Sequence, residues 1–112
     1  MTKYLFIYHA PMSPADATPP NDADMQEVMG QWMSWAGEAG EHLADFGTPL
    51  ANGVRVSPGG ATEPSTREVS GYSMIEAASM DEALSLAKNH PHLNMPGGCE
   101  IEVHEAQAVP GM

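Results

Sequence analysis

Residues 71–83, which read GYSMIEAASMDEA, contain the change from strand to helix that decides the fold. The first half of this stretch is rich in strand-forming residues, and we predict a strand over Arg67–Ala77. Ser79 and Glu82 then have the spacing of a capping box, which satisfies backbone N–H groups at the start of a helix. That helix must be short, because the proline at position 91 disfavours a helical conformation at His90.

The residues before this stretch supply a strand and a longer helix. Lys3–His9 is aromatic and β-branched, and a Pro-rich loop through Pro20 follows it. Asp24 and Glu27 form a variant of the capping box, and apolar residues then recur at three- and four-residue steps. The spacing predicts an amphipathic helix of about five turns, for which Gly40 is a candidate end.

Two further strands complete the order βαββαβ. We predict an irregular second strand within Thr48–Ser57, a mobile loop over Ser57–Ser65 and a fourth strand within Gly98–Ala108. Two strand–helix–strand crossovers in one chain favour the split arrangement with both helices on one sheet face. The sequence therefore predicts one α+β domain over residues 1–112, ferredoxin-like, with a four-stranded antiparallel sheet.

Alternation along the strands assigns side chains to two sheet faces. The face under the helices is predicted to hold Leu5, Ile7, Ile75, Ile101 and Val103, with Cys99 beside them. The other face is predicted to hold Tyr4, Phe6, Tyr8, Tyr72, Met74, Glu76, Glu102 and His104. Because this second face mixes aromatic side chains with acids, it favours a homodimer in which two sheets meet around a partly polar cavity. A solvated sheet face with scattered aromatic side chains is the alternative.

Composition excludes several classes of partner. The chain has 4 Lys+Arg against 15 Asp+Glu, a formal net charge of -11, and such a surface repels nucleic acids and anionic membranes. No stretch approaches the roughly 20 apolar residues that a membrane span requires. The single cysteine fits a reducing compartment, so we expect a cytoplasmic location.

The sequence also resembles a known family. An opening of KYLFIY at residues 3–8, a tryptophan at position 32, residues 71–83, and then AKNHPHL at 87–93 and GGCEIEV at 97–103 are similar to the YCII-related family. The resemblance implies a ferredoxin-like domain that dimerises through its sheets, a dimeric α+β barrel. It also implies kinship with small enzymes that use a His–Asp pair, among them a dehydrochlorinase of chlorinated aromatic breakdown, and with many proteins of no assigned activity.

Two departures from the family pattern concern function. A large branch of the family carries an Asp-Gly-Pro-Phe motif before the third strand, where this chain has Ala61–Thr66. The histidine of the presumed catalytic pair has no counterpart in the first helix, which reads VMGQW at residues 28–32. The family's catalytic pair is therefore not carried over to this chain.

Two loop histidines are the candidate catalytic residues. His9 follows the first strand and His92 precedes the fourth, and histidine titrates near neutrality, so either can serve as a general acid or base. We expect a pocket between the end of the first strand, the first helix and the loop before the fourth strand, suited to a small apolar or aromatic molecule. The predicted ligand-binding residues there are Tyr8, Trp32 and His90, and the candidate carboxylates to orient a histidine are Asp16, Asp22 and Asp24. Loop histidines in water are the alternative.

No metal or cofactor is expected. His90, His92, His104 and Cys99 are ligand types, but alternation places Cys99 and His104 on opposite sheet faces. Two functions stay open from the sequence. One is a cofactor-free small-molecule enzyme with a pocket histidine as acid/base, and the other is a non-catalytic ligand-binding or regulatory dimeric module.

Overall fold

The computed structural model describes residues 1–11, 22–95 and 98–108 of the chain, without the side chains of Asp22, Asp24 and Met25. The elements in chain order are β1 (Thr2–His9), α1 (Asp22–Ala39), β2 (Leu43–Asp45), β3 (Val54–Val56), β4 (Thr62–Pro64), β5 (Val69–Ala77), α2 (Met80–Lys88) and β6 (Glu100–Glu105). Short 3₁₀ helices occupy Gly40–His42 and Pro91–Asn94. Among these elements, no helix is long and apolar enough to cross a membrane. The Pro-rich loop predicted through Pro20 lies outside the described residues.

Four of the strands form one antiparallel sheet in the order β2-β5-β1-β6. This α+β arrangement confirms the predicted four-stranded antiparallel sheet, and its strand order is compatible with a ferredoxin-like fold. Within the described residues, the remaining strands β3 and β4 pair with each other as a separate hairpin and not with the sheet.

The predicted position of the second strand of the sheet was only partly right. The strand that joins the sheet is β2, upstream of the predicted segment, whereas Val54–Val56 pairs with Thr62–Pro64 inside the segment predicted as a mobile loop. β2 is interrupted at Gly47, whose φ is +80° and whose N–H donates to the Asp45 carboxylate over 2.9 Å. The chain then contacts β5 again, where Pro49 bridges Gly71 and the Leu50 N–H donates to the Ser70 carbonyl over 3.0 Å. A Cβ at Gly47 would lie 1.7 Å from the backbone oxygen of Tyr72, so only glycine allows this close approach.

The predicted helix boundaries agree closely with the structure. The Ser79 hydroxyl accepts a hydrogen bond from the Glu82 N–H over 3.2 Å, and the Glu82 carboxylate accepts one from the Ala78 N–H over 3.4 Å. These two contacts are the capping box that starts α2. At the other helix, α1 gives way to a 3₁₀ helix at Gly40, where φ is +54°.

The predicted facing of β1 was wrong. Tyr4, Phe6 and Tyr8 are buried beneath the helices, packed with Trp35, Ala39, Ala83 and Ala87, while Leu5 and Ile7 lie on the opposite, open face. Small residues make the room: Phe6 pairs with Ser73, Tyr8 pairs with Gly71, and the helices contribute alanines. The other strands face as predicted, with Ile75 buried and with Ile101 and Val103 packed against the core.

Candidate functional site

The structure brings four of the five predicted site residues together beneath the helices. The Tyr8 ring lies 5.0 Å from Trp32, 4.8 Å from His90 and 5.1 Å from His92, measured between ring centroids. Trp32 and His90 are 4.4 Å apart at an interplanar angle of 87°. We call these four residues the aromatic cluster. It is closely packed, since His90 is 1% exposed and His92 3%.

Hydrogen bonds fix the ring orientations within the aromatic cluster. The Tyr8 hydroxyl donates to Ser73 Oγ over 2.7 Å, and Ser73 Oγ in turn donates to the Phe46 carbonyl over 2.6 Å. The His92 backbone N–H donates to His90 Nδ1 over 3.0 Å. Because His90 Nδ1 is therefore an acceptor, the proton of the neutral His90 ring sits on Nε2.

The His90 and Tyr8 side chains of the aromatic cluster are uncharged at neutral pH. Burial, reinforced by the charge of His92, lowers the pKa of His90 to about 3. Burial raises the pKa of Tyr8 to about 12, although the hydrogen bond with Ser73 acts in the opposite direction. The N–H donors at Trp32 Nε1 and His90 Nε2 are both buried, and neither has a hydrogen-bond partner in the described part of the chain.

His9, the fifth predicted site residue, contributes only its backbone to the aromatic cluster. The His92 ring donates from Nε2 to the His9 carbonyl over 2.9 Å. The His9 imidazole points the other way, because successive strand residues alternate between faces. It lines a groove of about 480 Å³ on the open face, together with Ile7, Arg67, Glu68, Val69, Glu100, Glu102 and His104.

One of the two ring nitrogens of His9 is held by a hydrogen bond. His9 Nδ1 lies 2.7 Å from the Arg67 carbonyl, so this nitrogen carries the proton and donates it. The β1–β5 register shifts between Tyr8 and His9, and the Ser70 hydroxyl donates to the Tyr8 carbonyl over 3.2 Å at this bulge. Such bulges re-aim side chains and are frequent beside active sites.

The remaining atom, His9 Nε2, has an acid as its neighbour. Glu102 Oε2 lies 3.6 Å away, and Nε2 is buried without a hydrogen-bond partner among the described residues. The Glu102 carboxylate accepts a hydrogen bond from His104 Nε2 over 2.8 Å, and this bond, with the charges of His9, His104 and Arg67, lowers the pKa of Glu102. Glu102 is therefore ionised at neutral pH.

Sequence reasoning missed the acid that accompanies His9. The predicted orienting carboxylates are elsewhere: Asp16 lies outside the described residues, and of Asp22 and Asp24 only the backbone in α1 is described. The alternation of β6 already placed Glu102 and His104 on one face, but the pairing of Ile7 with Glu102 was needed to bring them beside His9. Over residues 1–11, 22–95 and 98–108, no group of three or more His, Cys, Asp or Glu side chains is placed to hold a metal ion.

No protein-family model matches this chain, and no curated protein matches it either. The YCII-related resemblance thus rests on the sequence motifs alone, and the site has to be interpreted from its own geometry.

Proposed function

We propose that this chain is a YCII-related, cofactor-free enzyme that uses His9 as an acid/base on a small apolar or aromatic substrate. The observation that carries the proposal is the state of the His9 imidazole. Nδ1 is committed to the Arg67 carbonyl, which leaves the lone pair of Nε2, a buried atom beside the groove, as the basic site. A base held by its surroundings in one tautomer is preorganised for proton transfer.

The groove supplies the other requirements of a proton abstraction. A proton taken up by His9 Nε2 creates an imidazolium, which the ionised Glu102 carboxylate 3.6 Å away stabilises. Ile7 and Val69 offer apolar surface for the hydrocarbon part of a substrate. Glu102 is 57% exposed, so its side chain can rotate to admit a substrate to Nε2.

We further propose that the groove is closed by a second copy of the chain. The open face carries Leu5, Ile7, Tyr72 and Met74, all partly buried and uncovered by either helix. A face with this much apolar area favours a partner of the same kind, as in the dimeric α+β barrel that the family resemblance implies. Ile7 belongs to both this face and the groove, so pairing of two open faces would place the groove at the edge of the dimer interface.

Solvent deuterium exchange tests the catalytic proposal directly. A panel of small aromatic carbon acids is incubated with the protein in D₂O, and loss of the C–H signal is followed by proton NMR. We expect exchange of at least one compound to fall by about 10²-fold or more in His9→Gln, the range typical of a lost general base. His42→Gln is the matched control, because His42 Nδ1 also lies against a backbone carbonyl, that of Glu76 at 2.9 Å, but outside the groove.

The proposal fails if no panel compound exchanges faster with the parent protein than in protein-free D₂O, or if His9→Gln and the parent protein exchange equally well.

A non-catalytic ligand-binding module is the second candidate, and the aromatic cluster favours it. Trp32 Nε1 and His90 Nε2 are buried donors that have no partner in the described ranges 1–11, 22–95 and 98–108, and each unmet donor costs roughly 1–3 kcal/mol. A neutral ligand with an acceptor oxygen could accept hydrogen bonds from these two N–H groups within the aromatic cluster. Under this candidate, panel compounds raise the melting temperature without exchanging, and the increase is lost in Trp32→Phe but kept in His9→Gln.

A further inference from the structure

His92 makes a hydrogen bond that connects the two sides of the sheet. Its imidazole is buried on the helix-covered side, in the 3₁₀ helix Pro91–Asn94, and its Nε2 donates to the backbone carbonyl of His9 over 2.9 Å. The imidazole of His9 lies on the opposite side, in the groove. The backbone of His9 therefore contacts the aromatic cluster on one side of the sheet, while its side chain, the proposed acid/base, lies on the other side.

His92 is itself rigidly placed. Its backbone N–H donates to His90 Nδ1 over 3.0 Å, and the neighbouring Pro91 restricts the backbone at the start of this 3₁₀ helix. Its ring packs 5.1 Å from Tyr8 and 6.2 Å from Trp32. A donor held on both its backbone and its ring can fix an acceptor with little loss of entropy at the moment of function.

The carbonyl that His92 holds lies at the end of β1, opposite a bulge in β5 whose extra residue is Ser70. There the partner of His9 on β5 is Val69, after the register shift that follows Tyr8 and Gly71. The adjacent Ala10 N–H donates to the Glu68 carbonyl over 3.0 Å. These contacts set the direction of the His9 side chain, and the Nδ1 contact with Arg67 depends on that direction.

We propose that His92 is a positioning residue for His9: its ring N–H holds the end of β1 against the β5 bulge, in the position that keeps His9 Nδ1 on the Arg67 carbonyl and leaves Nε2 unprotonated beside the groove. The catalytic meaning of this role rests on the proposed function, but the structural role does not. His90 supports it one step further back, by orienting His92.

Substitutions at position 92 can separate the hydrogen bond from the packing. His92→Phe keeps an aromatic ring in the cluster and removes the donor, whereas His92→Gln keeps an N–H that reaches toward the His9 carbonyl. The readout is the tautomer of His9 in the ligand-free protein, measured from the ¹⁵N shifts of its ring nitrogens at a pH where the ring is neutral. In the parent protein we expect Nε2 to resonate as an unprotonated nitrogen.

We expect the His9 Nε2 resonance to move upfield in His92→Phe, as the two tautomers become mixed, and to return toward the parent position in His92→Gln. Circular dichroism verifies that each variant is folded. A folded His92→Phe with an unchanged His9 tautomer overturns the proposal. If His92→Phe does not fold, a folded His92→Gln decides: a single parent-like tautomer supports the role, and a mixture overturns it.

This readout needs no substrate. A failure of the exchange experiment with an altered tautomer in His92→Phe would refute the enzyme while leaving the positioning role intact. The opposite outcome is also distinguishable. If His9→Gln abolishes exchange while His92→Phe changes neither the exchange nor the His9 tautomer, the enzyme is supported and the positioning role is refuted.

Discussion

Acidification should destabilise this protein through one buried imidazole. In the folded chain the pKa of His90 is lowered from 6.5 to about 3, chiefly by burial. Between those two values the unfolded chain binds a proton at this residue and the folded chain does not, so folding stability falls as pH decreases. The free energy of unfolding is therefore not lowered by His90 above pH 6.5, and it falls progressively as the pH decreases from 6.5 toward 3.

The magnitude follows from linkage. At a pH of about 4.5, two units below the unfolded pKa, the folded state loses about 2.7 kcal/mol relative to neutral pH, at 1.36 kcal/mol per unit. A small domain has only about 5–15 kcal/mol of stability in all, so a loss of this size is readily measured.

Urea unfolding at several pH values isolates this effect when His90→Asn is measured in parallel. The asparagine side chain can still accept the His92 N–H and does not titrate. We expect the variant to be less stable than the parent protein at neutral pH. The difference between their free energies of unfolding should become smaller by about 2.7 kcal/mol at pH 4.5, because only the parent protein loses stability through His90. Ile75→Val is the control, because Ile75 is fully buried in the core and its replacement neither adds nor removes a titrating group. The prediction is refuted if the difference in free energy of unfolding between His90→Asn and the parent protein does not change with pH, as is expected for the control.

Three other perturbations address the fold and the open face. Gly47→Ala should lower the free energy of unfolding by about 3 kcal/mol or more, because its Cβ would lie 1.7 Å from a backbone oxygen. Gly59 has a φ of +93° and open space around it, so Gly59→Ala should lower the free energy of unfolding by only about 1–2 kcal/mol. Equal losses of the two variants in chemical denaturation would contradict this. Tyr72→Asp should convert a dimer to a monomer in light scattering, while Met33→Glu on the exposed side of α1 should not; a parent protein that is monomeric at micromolar concentration would refute the dimer. Tyr8→Phe should lower the free energy of unfolding by about 1 kcal/mol, because it removes a hydrogen bond. Since the pKa of Tyr8 is raised to about 12, the parent protein should lose stability between pH 10 and about 12, and the variant should lack this loss. Thermal melts across that pH range measure the difference.

Local sequence patterns predicted the elements of this fold well. The Ser79–Glu82 capping box starts α2 as expected, and Pro91 follows the helix end. These signals are short-range, since each arises from residues within four positions of one another. The second strand was misplaced because Val54–Val56 is as strand-prone as a sheet strand, and only its pairing with Thr62–Pro64 reveals the hairpin.

The side of the sheet that β1 buries could not be predicted in the same way. Alternation fixes that Tyr8 and His9 point in opposite directions, but it does not say which face the helices cover. That choice depends on Gly71 and Ser73, more than sixty residues away, which leave space for the β1 aromatics. The same long-range information separates His9 from the aromatic cluster and places Glu102 beside it.

The position of His90 has an optical consequence. The chain has 2 tryptophans, and the centroid of the His90 ring lies 4.4 Å from that of Trp32 and 4.2 Å from that of Trp35. All indole fluorescence of the protein therefore originates beside a single neutral imidazole. Its emission serves as a built-in reporter of the helix-covered side of the sheet, and it can be followed in the unmodified protein without an added dye.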